Sequence, residues 1–170
     1  HRSEAMLGKA LGARRSEAVI ATKFGAKLGG GGGAAPGGGS ADYIRQAVEA
    51  SLAALGTDYL DLYQHHFPGR VSIPDLMNHL ADAVEAGKVT AVGVSNYSAE
   101  QMRQAHAALA DRGVPLASNQ VEYSLLHRQP ETNGVLDACR ELGVTLIAYT
   151  PLAGGMLTGK YSAKNRPTGF

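Results

Sequence analysis

A small set of side chains able to do chemistry closes each short apolar, β-branched run of this sequence. They are Lys23 in "VIATKFG", His65 and His66 in "YLDLYQHHFPGR", Ser95 and Asn96 in "VTAVGVSN", Asn119 and Gln120 in "PLASNQVEY", and Tyr149 in "VTLIAYTP". An imidazole can hydrogen-bond an oxygen or pass a proton near neutral pH. Serine, asparagine and glutamine offer donors and acceptors without charge, which suits an amide ligand. Spacing alone favours Lys23 as a rim lysine with its amine in solvent, and leaves Tyr149 as a core aromatic. Neighbours on a strand point to opposite faces, so only one histidine of the doublet can face a given site. Counting in twos puts Leu60, Leu62, Gln64 and His66 on one face and Asp61, Tyr63 and His65 on the other. The same alternation argues against a metal held by the pair, and no metal site is expected.

The elements that must position these residues alternate in type. Helical spacing, capping signals and terminal glycines predict helices over 3–14, 40–56, 73–88, 98–113 and 133–143. Strand-type runs occupy 18–24, 58–66, 89–96, 115–123 and 144–151. A glycine-rich stretch at 28–40 reads as a flexible loop, without the lysine of a phosphate-binding loop or the spacing of a dinucleotide fingerprint. Such alternation implies a mainly parallel α/β sheet with right-handed crossovers. Reactive residues at the C-terminal end of every strand favour a (β/α)8 TIM barrel, which gathers all its strand ends at one mouth. An open doubly wound sheet would concentrate its site at one switch point, after a glycine fingerprint that is missing here. Residues 1–170 are therefore expected to form one partial barrel of about five βα units.

Bulk properties narrow the function classes. Of the 170 residues 44% are hydrophobic and 18% charged, which suits a packed globular chain. A formal net charge of +1 gives no electrostatic case for nucleic acid or an anionic membrane, so neither is an expected partner. No apolar run approaches the roughly 20 residues of a membrane span. The single cysteine, Cys139, suits a reducing compartment: the cytoplasm, or the plastid stroma for a plant or algal source. The start, "HRSEAMLGKALGARR", and the end, "SAKNRPTGF", read as those of a segment of a longer protein.

Five motifs taken in order, "VIATKFG", "SLAALGTDYLDLYQHHFP", "GKVTAVGVSNYS", "LASNQVEYSLLHR" and "LIAYTPLAGGMLTGKY", resemble the successive motifs of the aldo-keto reductase family, in its bacterial and plastid-type branch. The resemblance spans residues 3–161. It implies that the five units are the third to seventh of the barrel, and that the parent protein reduces aldehydes or ketones with NADPH, with NAD left open. It implies catalytic roles for Lys23, beside a proton-donating tyrosine, and for His66, which fills the histidine place of the pattern L-Y-Q-x-H and polarises the substrate carbonyl. His65 falls at the variable place and is expected to pack against a helix or face solvent. Ser95, Asn96 and Gln120 would hold the nicotinamide carboxamide, Tyr149 would stack on its ring, and Thr150 and Leu152 would contact the pyrophosphate. Asp58 and Asp61, which could suggest a hydrolytic carboxylate pair, lie in a stretch common to the family and read as structural. The family's tyrosine and aspartate would precede residues like Ser3 and Glu4, so the segment alone is expected to be inactive. The alternative is a sensor or regulatory subunit of the same fold that binds the cofactor without turnover. A small carbonyl compound is the expected partner, and no oligomeric state follows.

Overall fold

Each strand of an alternating chain needs the helix that follows it as a cover for one face. The computed structural model describes residues 1–26, 35, 38–162 and 164–166. Its order is α1 (Arg2–Leu11), β1 (Ala21–Phe24), α2 (Ala41–Leu55), β2 (Leu60–His65), α3 (Ile73–Glu85), β3 (Val89–Ser95), α4 (Ala99–Ala110), β4 (Leu116–Glu122), α5 (Val135–Leu142) and β5 (Thr145–Tyr149). Most of the 28–40 glycine-rich stretch lies outside the described residues.

The helix boundaries follow from local chemistry. Ser40 and Ser72 accept hydrogen bonds from Tyr43 N and Asp75 N and so cap α2 and α3. Ser98 and Gln101 form a reciprocal capping box at the start of α4. Three helices end short of their expected C-terminal bounds: α1 at Leu11, α3 at Glu85 and α4 at Ala110, where Gly113 (φ 68°) turns left-handed and Val114 N bonds back to Leu109 O. Gly87 turns left-handed (φ 71°) after α3, and Lys88 N bonds back to Ala83 O, so the helix ends before Lys88. Gly12 (φ 48°) ends α1, and the chain continues as a tighter 3-10 turn over Gly12–Glu17.

All five strands are parallel and lie side by side in chain order. A doubly wound sheet would reverse that order at its switch point; this one never does, as a barrel wall requires. Ile44, Val48 and Leu52 of α2, Leu76, Met77 and Leu80 of α3, and Met102 and Leu109 of α4 belong to one buried core with Tyr63, Val92, Val94 and Val121 of the strands. Each such buried aliphatic side chain contributes about 1.5–3 kcal/mol.

The register fixes which residues share a face. Lys23 pairs with Gln64, Gln64 with Gly93 and Gly93 with Ser118, so these four point away from the helices. Phe24, His65, Val94 and Asn119 form the neighbouring row on the helix-facing side. Glycine is needed at 93 because a Cβ there would lie 2.5 Å from Ser118 Oγ and 2.9 Å from Gln64 Cγ. At the opposite end of the sheet, Asp61 accepts from Arg15 (2.6 Å) and from Ile20 N (2.9 Å), tying the entry of β1 to β2. Asp61 is thus committed to the fold, and Asp58 is exposed. Among the described residues, no helix is long and apolar enough to cross a membrane.

Candidate active site

The C-terminal ends of β1 and β2 bring a lysine and a histidine together. His66 follows β2 directly, and its N–H donates to Phe24 O (2.9 Å), which extends the ladder by one bond. Burial, and secondarily the charge of Lys23, hold the His66 imidazole below its usual pKa. A neutral imidazole has one N–H, so it can hydrogen-bond a substrate oxygen without carrying charge into the site. The ring stacks on Phe67 at 4.5 Å and 9°, which limits its rotation. Burial also lowers the Lys23 pKa.

Three strand ends, those of β2, β3 and β5, meet at the side chain of Asn96, and β4 meets its main chain. Its Nδ2 donates to His66 O (3.0 Å) and to Ser95 Oγ (3.1 Å), and its Oδ1 accepts from the Tyr149 hydroxyl (3.0 Å). Ser95 Oγ and Asn96 N both donate to Gln120 O, at 2.7 and 2.9 Å. Ser95 is thereby buried inside the network, while Asn96, Gln120 and Tyr149 stay partly open. Burial, then the charge of Glu122, raises the Tyr149 pKa and keeps it a neutral phenol. A cavity of about 320 Å³ adjoins the cluster, with Asn96, Gln101, Glu122, His127 and Tyr149 in its wall.

Backbone strain collects at the same end. Among the described residues, the non-glycine residues with positive φ are Asn96 (60°), Thr150 (53°) and Ala153 (48°). Asparagine tolerates the left-handed region, but a β-branched threonine there is a genuine outlier. Such conformations persist where surrounding structure holds them, commonly at ligand sites. Thr150 and Leu152 are exposed on the turn after β5, ahead of Gly154 (φ 62°) and Gly155 (φ 97°), where backbone can approach a ligand closely.

Lys23, His66, Ser95, Asn96, Gln120 and Tyr149 therefore meet at one end of the sheet, with Thr150 and Leu152 on the adjoining turn. Two members of the strand-end set part from it. His65 and Asn119 are buried on the helix-facing side. His65 Nδ1 shares a 2.7 Å hydrogen bond with the Tyr97 hydroxyl, and Asn119 bonds the Tyr97 main chain. Counting in twos separates Asn119 from Gln120 just as it separates the histidines. Tyr97 has no such signal, because it lies beyond its strand. Among the described residues, no group of three His, Cys, Asp or Glu is placed to hold a metal.

Burial pushes the His65 pKa down to about 4, with the neighbouring His66 a smaller cause. An unfolded chain would bind a proton at a pKa near 6.5 that the folded one refuses. The His65 contribution is thus complete above about pH 6.5 and is lost as pH falls toward 4, by up to about 3 kcal/mol. Urea unfolding of the complete protein at pH 7 and pH 4.5 should show a smaller acid loss for His65→Phe than for the native sequence. Equal losses would mean that His65 is not buried as a neutral ring.

A parallel, unreversed βα sheet with its polar cluster at the strands' carboxyl ends defines part of a (β/α)8 barrel. The sequence matches the aldo/keto reductase family over residues 1–170, and the chain belongs to that family. It is 40% identical to a chloroplastic pyridoxal reductase of Arabidopsis thaliana, over 98% of this chain and 46% of the relative. It is 41% identical to the NADP(+) aldo-keto reductase yakc of Schizosaccharomyces pombe, over 88% of this chain and 44% of the relative. An L-glyceraldehyde 3-phosphate reductase of Escherichia coli K12 is 36% identical, over 92% of this chain and 45% of the relative. The chain spans about half the length of these curated relatives. Among solved structures, a glycerol dehydrogenase of Gluconobacter oxydans superposes with a TM-score of 0.84 at 31% identity, over 99% of this chain and 50% of that one.

Proposed function

We propose that the complete protein reduces aldehydes or ketones to alcohols with NADPH. The observation that carries this reading is the convergence of Lys23, a neutral His66 and the Asn96–Tyr149 pair at one end of the sheet. The donor set suits a nicotinamide: uncharged amides at Asn96 and Gln120, and a partly open phenol ring at Tyr149. Asn96 and Gln120 would grip the carboxamide and Tyr149 would lie against the ring. Ser95, expected to join them, is buried behind Asn96, where it accepts from the Asn96 amide and donates to the Gln120 main chain. The Thr150–Gly155 turn would meet the pyrophosphate with backbone amides. When bound, the reduced nicotinamide supplies the hydride. His66 would donate its N–H to the substrate carbonyl oxygen and orient it. Lys23 would favour the phenolate of the proton-donating tyrosine that the family resemblance places ahead of this chain. Two relatives are named as reductases of aldehydes, pyridoxal and L-glyceraldehyde 3-phosphate, and one is named with NADP(+), which supports the substrate class and cofactor.

The test is NADPH oxidation by the complete protein against a panel of aldehydes and ketones. Substrate-dependent oxidation is expected. NADPH that binds but is never consumed would contradict a reductase and leave a cofactor sensor.

A further inference from the structure

The doublet places imidazoles on opposite faces of β2, and the proposed chemistry uses only His66. His65 is 3% exposed, where an apolar side chain would fill the space equally well. It is instead hydrogen-bonded through Nδ1 to the Tyr97 hydroxyl, and the two rings meet edge to face at 5.9 Å. Gly25 closes the other side of the ring: a Cβ there would lie 2.9 Å from His65 Nε2. The main chain of Tyr97 is held from β4, where Asn119 Nδ2 donates to Tyr97 O (3.0 Å) and Asn119 Oδ1 accepts from Tyr97 N (3.4 Å). Tyr97 directly follows Asn96, whose backbone sits at φ 60°. The turn that presents Asn96 is therefore pinned from behind at one ring and two backbone groups.

We propose that His65, acting through Tyr97 together with Asn119, is a positioning residue that fixes the Asn96 amide in the site and thereby sets the affinity for the nicotinamide cofactor. The proposal rests on the reading of Asn96 as a cofactor-binding residue. Left-handed backbone at a non-glycine residue relaxes unless its neighbours hold it, and a turned Asn96 would release His66 O, Ser95 and Tyr149 together. The depressed pKa of His65 keeps its ring neutral through physiological pH, so the bond to Tyr97 does not switch there. The sequence suggests a helix-packing or solvent-facing residue outside the chemistry, and the burial of His65 excludes the solvent-facing alternative. The packing is present, and the polar bond gives it a task.

The test measures NADPH dissociation constants by calorimetry on the complete protein, and kcat at saturating NADPH. His65→Phe and Tyr97→Phe each remove the hydrogen bond and keep a ring. Each is expected to weaken NADPH binding by about five- to tenfold, while kcat stays within about twofold of the native value. The double variant should bind no more weakly than either single one, because one bond is lost in all three. Tyr97→Phe removes a single oxygen and keeps the test open should His65→Phe fail to fold. Unchanged affinity, losses that multiply in the double variant, or a fall in kcat in place of affinity would each overturn the proposal. Asn96→Ala separates the two levels. If it binds NADPH normally, the reading of Asn96 fails; if it binds weakly while the ring variants bind normally, the brace alone fails.

Discussion

Replacing His66 with alanine in the complete protein is expected to lower kcat/KM for carbonyl reduction by about 10²–10³-fold, the usual cost of removing one donor aimed at a developing oxyanion. The side chain is held neutral by burial and by Lys23, so it acts through a hydrogen bond rather than as a charge. The loss should appear in kcat, since the link to Asn96 runs through His66 O, a backbone atom that alanine retains. NADPH affinity should change little. Steady-state kinetics and a cofactor titration on one preparation separate the two. A loss smaller than about threefold would remove His66 from the chemistry.

Lys23→Met is expected to cost a comparable factor, about 10²–10³, and to leave a distinct signature in pH dependence. Methionine keeps the apolar stem and removes the cation. Burial disfavours the charged amine, so a lysine at this place is held against its own desolvation. Its proposed use is to stabilise the phenolate of the proton-donating tyrosine that the family resemblance implies, which would lower that tyrosine's pKa. Removing the cation raises the pKa again. In the alcohol-oxidising direction the tyrosine must act as a base, so the rising limb of the profile should move to higher pH by about one unit or more. A lower rate with an unmoved limb would mean that Lys23 shapes the site without tuning the acid.

Periodicity and caps carried most of the fold. Ser98 and Gln101 announced α4, and Gly143 ended α5 where a terminal glycine should, at φ 67°. The expected ends of α1, α3 and α4 ran about one turn too far, because apolar spacing shows which face is buried and not where the last turn stops. Gly12, Gly87 and Gly113 take positive φ just past the observed ends. The barrel followed from where the reactive residues stand, at strand ends, and the unreversed strand order agrees with it. The site residues were legible as types at strand ends, but their connections were not. Nothing in "VSN" or "AYT" says that Tyr149 donates to Asn96, because that bond crosses from β5 to β3. The strain at Asn96, Thr150 and Ala153 was equally hidden, since none of these residue types demands a positive φ. Alternation separated the histidines correctly, yet it could not show what His65 touches. That depends on a tyrosine 32 residues away in the chain.

The most direct measurement follows the hydride itself. The complete protein would be supplied with NADPH carrying deuterium on one face of the nicotinamide C4, and separately on the other, together with an aldehyde that it turns over. Tyr149 against the ring, with Asn96 and Gln120 gripping the carboxamide, would present one face only. The account predicts that deuterium reaches the carbonyl carbon of the alcohol from one labelled form and not from the other. Label from neither form, or equally from both, would contradict it.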